Sequence, residues 1–283
     1  MAAGSSTWGV ALLRELRPHR FPRYPRRDQR GEKCRDTPGA CRSVCPTERV
    51  TSDVAMTVAE ASPLELLRSH HPVGASTGYM EEIRGDWHRL AASAARVSSL
   101  VVEFSALSEP ELDGLVSFLS KNPRLPFRYV SVHAPTKKRT VPESSLVESL
   151  THFPRWVSAI VTHPDVVHDP CEYRRLGRRL VFENLDARAP QSQLTELERL
   201  FDSLPEAGFC LDVAHAWSVD PTMQLANELL DSFRNRLRHL HVSSLDPDHR
   251  HAPLTAEHAA AYEPVLARCR DVPWVLEAPP PAQ

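Results

Sequence analysis

The sequence predicts an α/β protein: a closed parallel (β/α)8 barrel preceded by a disordered N-terminal tail. Three observations predict it. From Pro63 onward, short β-rich runs alternate with amphipathic helical runs, the pattern of βαβ units. Eight such strands can be counted, and no Gly-rich strand-to-helix turn marks the nucleotide crevice of an open doubly wound sheet. The roughly 225 residues after the tail are short but sufficient for a fold that typically needs about 250.

Each element has a local reason. The first strand is expected near Val73–Thr77, followed by a helix with Trp87, Leu90 and Ala94 on one face. Leu100–Phe104 is the second strand. Ser108, followed by Glu109, Pro110 and Glu111, supplies an N-cap and acidic first turn for a helix to Leu119. Tyr129–His133 is the third strand, Ser144–Phe153 a helix, Val157–Thr162 the fourth strand and Leu180–Glu183 the fifth. Leu194, Leu197, Leu200 and Phe201 share one face of a helix over Leu194–Leu204. Phe209–Asp212 is the sixth strand, Thr222–Leu237 a helix and Leu237–Val242 the seventh strand. The helix Ala256–Cys269 then leads to the eighth strand, Trp274–Leu276.

Residues 1–56 read differently from 57–283. The first 55 carry 11 Lys and Arg against 6 Asp and Glu, with prolines at 18, 22, 25, 38 and 46, whereas the remainder carries 23 against 30. Little hydrophobic periodicity runs from Arg17 to Asp53, so this Pro/Arg-rich stretch is expected to be disordered; Met56 is an alternative start. Val10–Leu13 is too short for the apolar core of a secretory signal. Cys34, Cys41 and Cys45 lack the paired knuckles of a zinc site. Six cysteines point to a reducing compartment, and a cytoplasmic protein is the expectation. No apolar run reaches the roughly 20 residues of a membrane span. A net charge of −2 argues against a surface built for nucleic acid, and nothing in the sequence sets an oligomeric state.

Asp, Glu and His make up about one residue in six, yet six successive strands close on one. These are His133, His163 just past the fourth strand, Glu183, Asp212, His241 and Glu277, with His215 three residues after Asp212 and His251 in the loop after the seventh strand. In a parallel barrel all strand carboxyl ends open on one mouth, and alternation lets one register aim these groups at the axis. Such a ring repels itself unless a cation neutralises it, and Asp, Glu and neutral His are divalent-metal ligands. His249 and Asp248 compete for one further ligand position. His239 is placed one layer deeper and Cys210 in the core. Glu103 shares the strand-end position but lies outside the strong cluster, and His70, His71, His88, His152, His168 and His258 read as solvent or loop residues.

Glu183-Asn184, Asp212-Val213-Ala214-His215, Leu240-His241 and Leu276-Glu277-Ala278-Pro279 resemble the xylose isomerase-like barrel superfamily. That group includes sugar isomerases, ketose epimerases and the endonuclease IV type of abasic-site nuclease. The resemblance spans about Val73 to Pro279. The epimerase pattern implies one metal (Mn or Zn) on Glu183, Asp212, His241 and Glu277. The nuclease pattern implies up to three, with His133, His163, His215 and His251 as further ligands. Its Asp-x-His loop motif is only half present, since His249 stands two residues before His251.

The favoured reading is an isomerase or epimerase of a sugar or sugar phosphate. Glu183 and Glu277 exchange the carbon-bound proton in this reading, and His215 holds a substrate oxygen. Lys137, Lys138 and Arg139 are candidates to clamp a phosphate. Multi-metal phosphodiester hydrolysis is the alternative, favoured by the histidines and opposed for DNA by the acidity and the short loops. A barrel that binds a ligand without turnover is the third.

Overall fold

The computed structural model describes residues 71–136, 139–189 and 193–281, with no side-chain account of Gln193. The chain divides into two units, Met1–Ala55 and Met56–Gln283. The predicted tail, its three cysteines and His70 lie outside the described residues, as do Lys137 and Lys138.

The strands β1 (Val73–Ser76), β2 (Val101–Ser105), β3 (Tyr129–His133), β4 (Ala159–Thr162), β5 (Leu180–Glu183), β6 (Gly208–Asp212) and β7 (Leu237–Val242) join β10 (Trp274–Leu276) in a closed barrel. The order around it is β1-β10-β7-β6-β5-β4-β3-β2, and every pairing is parallel. The barrel expected from the alternating pattern is therefore present. The helices are α1 (Trp87–Val97), α2 (Glu109–Ser120), α3 (Glu143–Thr151), α4 (Pro170–Tyr173), α5 (Gln193–Ser203), α6 (Val213–Val219), α7 (Gln224–Phe233) and α8 (Ala256–Ala267). No helix among the described residues is long and apolar enough to cross a membrane.

The main core lies between the barrel's outer wall and the helices. Phe104, Ile160, Phe182, Phe209, Leu211, Leu240 and Trp274 face outward and belong to one large cluster with Leu90, Leu115, Leu150, Leu200, Leu229 and Leu266 of the helices. Facing the barrel interior, Ala159, Val161, Val181 and Cys210 form a separate small apolar cluster. The period-2 alternation of each strand thus sorts large apolar side chains outward and small or polar ones inward. Gly74 is required by crowding: a Cβ there would sit 2.0 Å from the Val101 carbonyl oxygen of the neighbouring strand.

Several local expectations are corrected. Ser108 precedes α2 but its hydroxyl makes no capping bond; instead Glu111 Oε2 reaches past the N-cap and accepts from the Leu107 amide at 2.9 Å. The helix expected over Thr222–Leu237 is α7, ending at Phe233, because Arg234–Arg236 form a 3-10 turn into β7. Helix α6 was not anticipated. It starts with no loop at all: Asp212 ends β6 and also caps α6, its Oδ1 accepting from the His215 amide at 2.7 Å. After β7 the chain forms a small antiparallel hairpin, β8 (Ser244–Leu245) with β9 (His251–Ala252).

Candidate metal centre at the barrel mouth

Glu183, the last residue of β5, is the hub. Its Oε1 lies 3.1 Å from His241 Nδ1 and 3.3 Å from His215 Nδ1. Its Oε2 lies 3.0 Å from His133 Nε2 and 3.5 Å from His163 Nε2. Glu277 follows β10 and completes the ring, with Oε1 3.4 Å from His241 Nδ1 and Oε2 3.3 Å from His251 Nε2. Asp212 Oδ2 is 3.6 Å from His215 Nδ1. Glu183, Asp212 and His241 are almost completely buried, and His163 and His251 form the more accessible rim.

Among the described residues five donor sets have their ligand atoms within 4.8 Å of one another: Glu183–Asp212–His241–Glu277, His133–His163–Glu183 and Asp212–His215–His251 from the predicted ligands, and Glu103–His133–His241 and Cys210–His239–His241 reaching into the layer below. The eight residues singled out as metal ligands are thus brought together, while Asp248 and His249 are not. Asp248 is exposed and 3.5 Å from Arg250, and His249 serves the hairpin turn with φ of 58°. Of the basic trio, Arg139 is described, and its guanidinium is held 3.3 Å from Glu143 in the first turn of α3 and donates to the Val166 carbonyl. Its charge is spent locally, which argues against the phosphate clamp expected of it.

Burial and close packing shift the proton affinities of the ring in opposite directions. Burial alone would raise the Glu183 pKa, but His241 and hydrogen bonds from His133, His163 and His215 hold it well below the usual range. Burial, reinforced by the Glu183 and Asp212 charges, pushes Glu277 well above it. For His215 burial is outweighed by Asp212 and Glu183, which raise its pKa to about 10. Among the described residues Asp212 Oδ2 and Glu277 Oε2 are buried with no hydrogen-bond partner. Two carboxylate oxygens left without donors beside imidazole nitrogens fit a divalent cation, which would supply the missing positive charge and accept their lone pairs.

Sequence reading undervalued Glu103. It was placed near the end of its strand, but β2 continues to Ser105, so Glu103 pairs with Ser131 and lies one layer below His133. There it is fully buried, with Oε1 3.1 Å from His241 Nε2. The usable signal was an acidic residue inside an otherwise apolar strand. His71 and His258 are also buried, against the solvent-facing expectation. His71 packs on Trp274 and bonds the Arg270 carbonyl, and His258 bonds Ser244 Oγ at 2.6 Å. His239 and Cys210 are both fully buried.

No protein-family model matches this chain, and no curated protein matches it. Among solved structures, it is similar to a proposed sugar phosphate isomerase/epimerase from Anabaena variabilis, with 13% sequence identity and a TM-score of 0.47, covering 74% of this chain and 84% of that one.

Proposed function

We propose that this protein is a divalent-metal-dependent isomerase or epimerase that acts on a sugar or sugar phosphate. The observation that carries the reading is the pair of glutamates, Glu183 and Glu277, flanking His241 in one donor set with Asp212. A bound metal would polarise a substrate carbonyl and stabilise the oxyanion formed as a carbon-bound proton leaves. The chain's own groups do the rest. Glu183 and Glu277 both approach His241 Nδ1, at 3.1 and 3.4 Å, so two carboxylates share one site, one to take a proton and the other to return it. His215, fixed through its Nδ1 to the Asn184 carbonyl at 3.0 Å, keeps Nε2 available to a substrate oxygen. Acidic residues outnumber basic ones in the chain outside the tail, which suits a small substrate better than a polyanion.

A second reading has one specific observation in its favour. Glu183 turns Oε2 toward His133 and Oε1 toward His241, so it would serve as a ligand in two donor sets if more than one metal were held. Paired metals suit hydrolysis of a phosphoester. Metal content and isotope exchange separate the two. The protein loaded with Mn or Zn is incubated with aldoses, ketoses and their phosphates in deuterated water. Deuterium entering a carbon position, with about one metal per chain, supports the isomerase. Phosphate release without isotope entry, with metal content near three, supports hydrolysis instead.

A further inference from the structure

Beneath the donor ring lies a buried polar column that the proposed chemistry does not use. Glu103 Oε1 approaches His241 Nε2 at 3.1 Å, and Ser131 Oγ donates to Glu103 Oε2 at 2.8 Å. His239 Nε2 lies 3.5 Å from the same Oε2, and its Nδ1 bonds the Tyr129 hydroxyl at 2.8 Å. Glu103, Ser131, His239 and His241 are all fully buried. Among the described residues Glu103 has ion-pair contacts only with the two histidines, and no Lys or Arg comes near enough to pair with it. Among the described residues Glu103 Oε1 and His241 Nε2 have no aligned hydrogen-bond partner, so their 3.1 Å contact is an ion-pair approach with no competing group on either side.

We infer that Glu103 is a positioning residue for the metal site, acting through His241. The inference rests on the metal reading above. A neutral imidazole carries one N–H, and it can ligate only through the other nitrogen. His241 turns Nδ1 toward Glu183 and Glu277 and Nε2 toward Glu103. A carboxylate behind Nε2 fixes the proton there and leaves the Nδ1 lone pair aimed at the donor set. It also makes that nitrogen a stronger donor, the effect of a carboxylate–histidine–metal relay. Ser131 and His239 in turn restrain the carboxylate, so ring orientation is set from two layers down. A carboxylate with no exposure is costly unless its charge is used. Here it is compensated through imidazoles that lead to the mouth.

Cobalt(II) titration of the full chain tests this, with visible absorption as the readout and no dependence on turnover. Wild type, Glu103→Ala and Glu103→Gln are compared with Val102→Ala, a core truncation on the opposite face of the same strand. The expected result is a Kd for cobalt about 10- to 100-fold weaker in Glu103→Ala, with an altered absorption spectrum. A smaller loss is expected in Glu103→Gln, whose amide oxygen can still accept from Nε2. Val102→Ala should lower Tm yet keep the wild-type Kd and spectrum. If Glu103→Ala does not fold, the near-isosteric glutamine variant carries the test alone. Wild-type Kd and spectrum in the Glu103 variants, whatever their Tm, overturn the inference while leaving the metal reading standing. A wild-type protein that takes up no cobalt overturns both.

Discussion

The two faces of each barrel strand do opposite things, often in adjacent residues. On β5, Phe182 faces outward into the helix layer and Glu183 inward to the mouth; on β7, Leu240 and His241 divide the same way. The outer wall is continuous apolar core. The inner wall is mainly Glu, His, Ser and Asp, with a small apolar cluster of Ala159, Val161, Val181 and Cys210 among them. Stability is therefore built almost wholly between sheet and helices, which frees the barrel interior to hold groups that repel one another. Function and folding are separated by one residue along the chain rather than by one domain from another.

The sharpest test of that separation is a substitution on each side of one peptide bond. Glu183→Gln removes the shared ligand and proton-transfer group, and should lower turnover by on the order of 10^4-fold while leaving Tm equal or higher. Turnover measured beside thermal melting checks it; a large fall in Tm would make Glu183 part of the folding core. Phe182→Ala should do the reverse. It opens a cavity against Phe201 and costs about 3–5 kcal/mol of stability, read by urea denaturation, while the folded fraction keeps its metal affinity.

Metal removal should have the next largest effect. At free metal about 100 times Kd, binding stabilises the chain by roughly 2.7 kcal/mol, so chelation should lower Tm by roughly 5–11 °C. The effect has a pH sign. His215 in the metal-free ring has a pKa raised from 6.5 to about 10. The proton it holds stabilises the metal-free fold fully below pH 6.5, and that contribution fades as pH rises toward 10. Metal uptake competes with that proton, so the apparent affinity should rise with pH over the same window. Titrations at pH 6.5 and pH 8.5 check it. A flat profile would mean that the histidines are not displaced from their protons by metal.

The same contrast explains what the sequence made legible. The ends of β3, β4, β5, β6, β7 and β10 coincide with the expectation, because each lies on or within one residue of a chelating residue. The barrel followed from the strand–helix alternation together with the count of eight strands and the absence of a Gly-rich turn. What escaped were features with no pattern of their own. Helix α6 begins on the ligand Asp212, so one residue serves as strand end, cap and ligand, and no loop signal separates the elements. The hairpin that carries His251 is two residues per strand, too short for any periodicity. Glu103 was misjudged by layer: one extra strand residue moves it from the mouth to the level below. Histidines were the least readable, since imidazole suits solvent, core and metal alike.

His71 shows this ambiguity and gives the smallest predicted effect. It lies just before β1, its ring tilted against Trp274 with centroids 4.1 Å apart, and donates from Nδ1 to the Arg270 carbonyl at 3.0 Å. Burial lowers its pKa from 6.5 to about 4, outweighing the backbone hydrogen bonds that favour the charged form. The folded chain thus binds this proton less readily than the unfolded chain. The stability this neutral ring provides is complete above pH 6.5 and is lost as pH falls toward 4. The loss should be on the order of 2 kcal/mol. Metal-free wild type and His71→Gln, compared by urea denaturation at pH 7 and pH 4.5, should differ in pH sensitivity by about that amount, with the glutamine variant the flatter. Equal slopes would assign the acid sensitivity to the mouth histidines and leave the base of the barrel electrostatically silent.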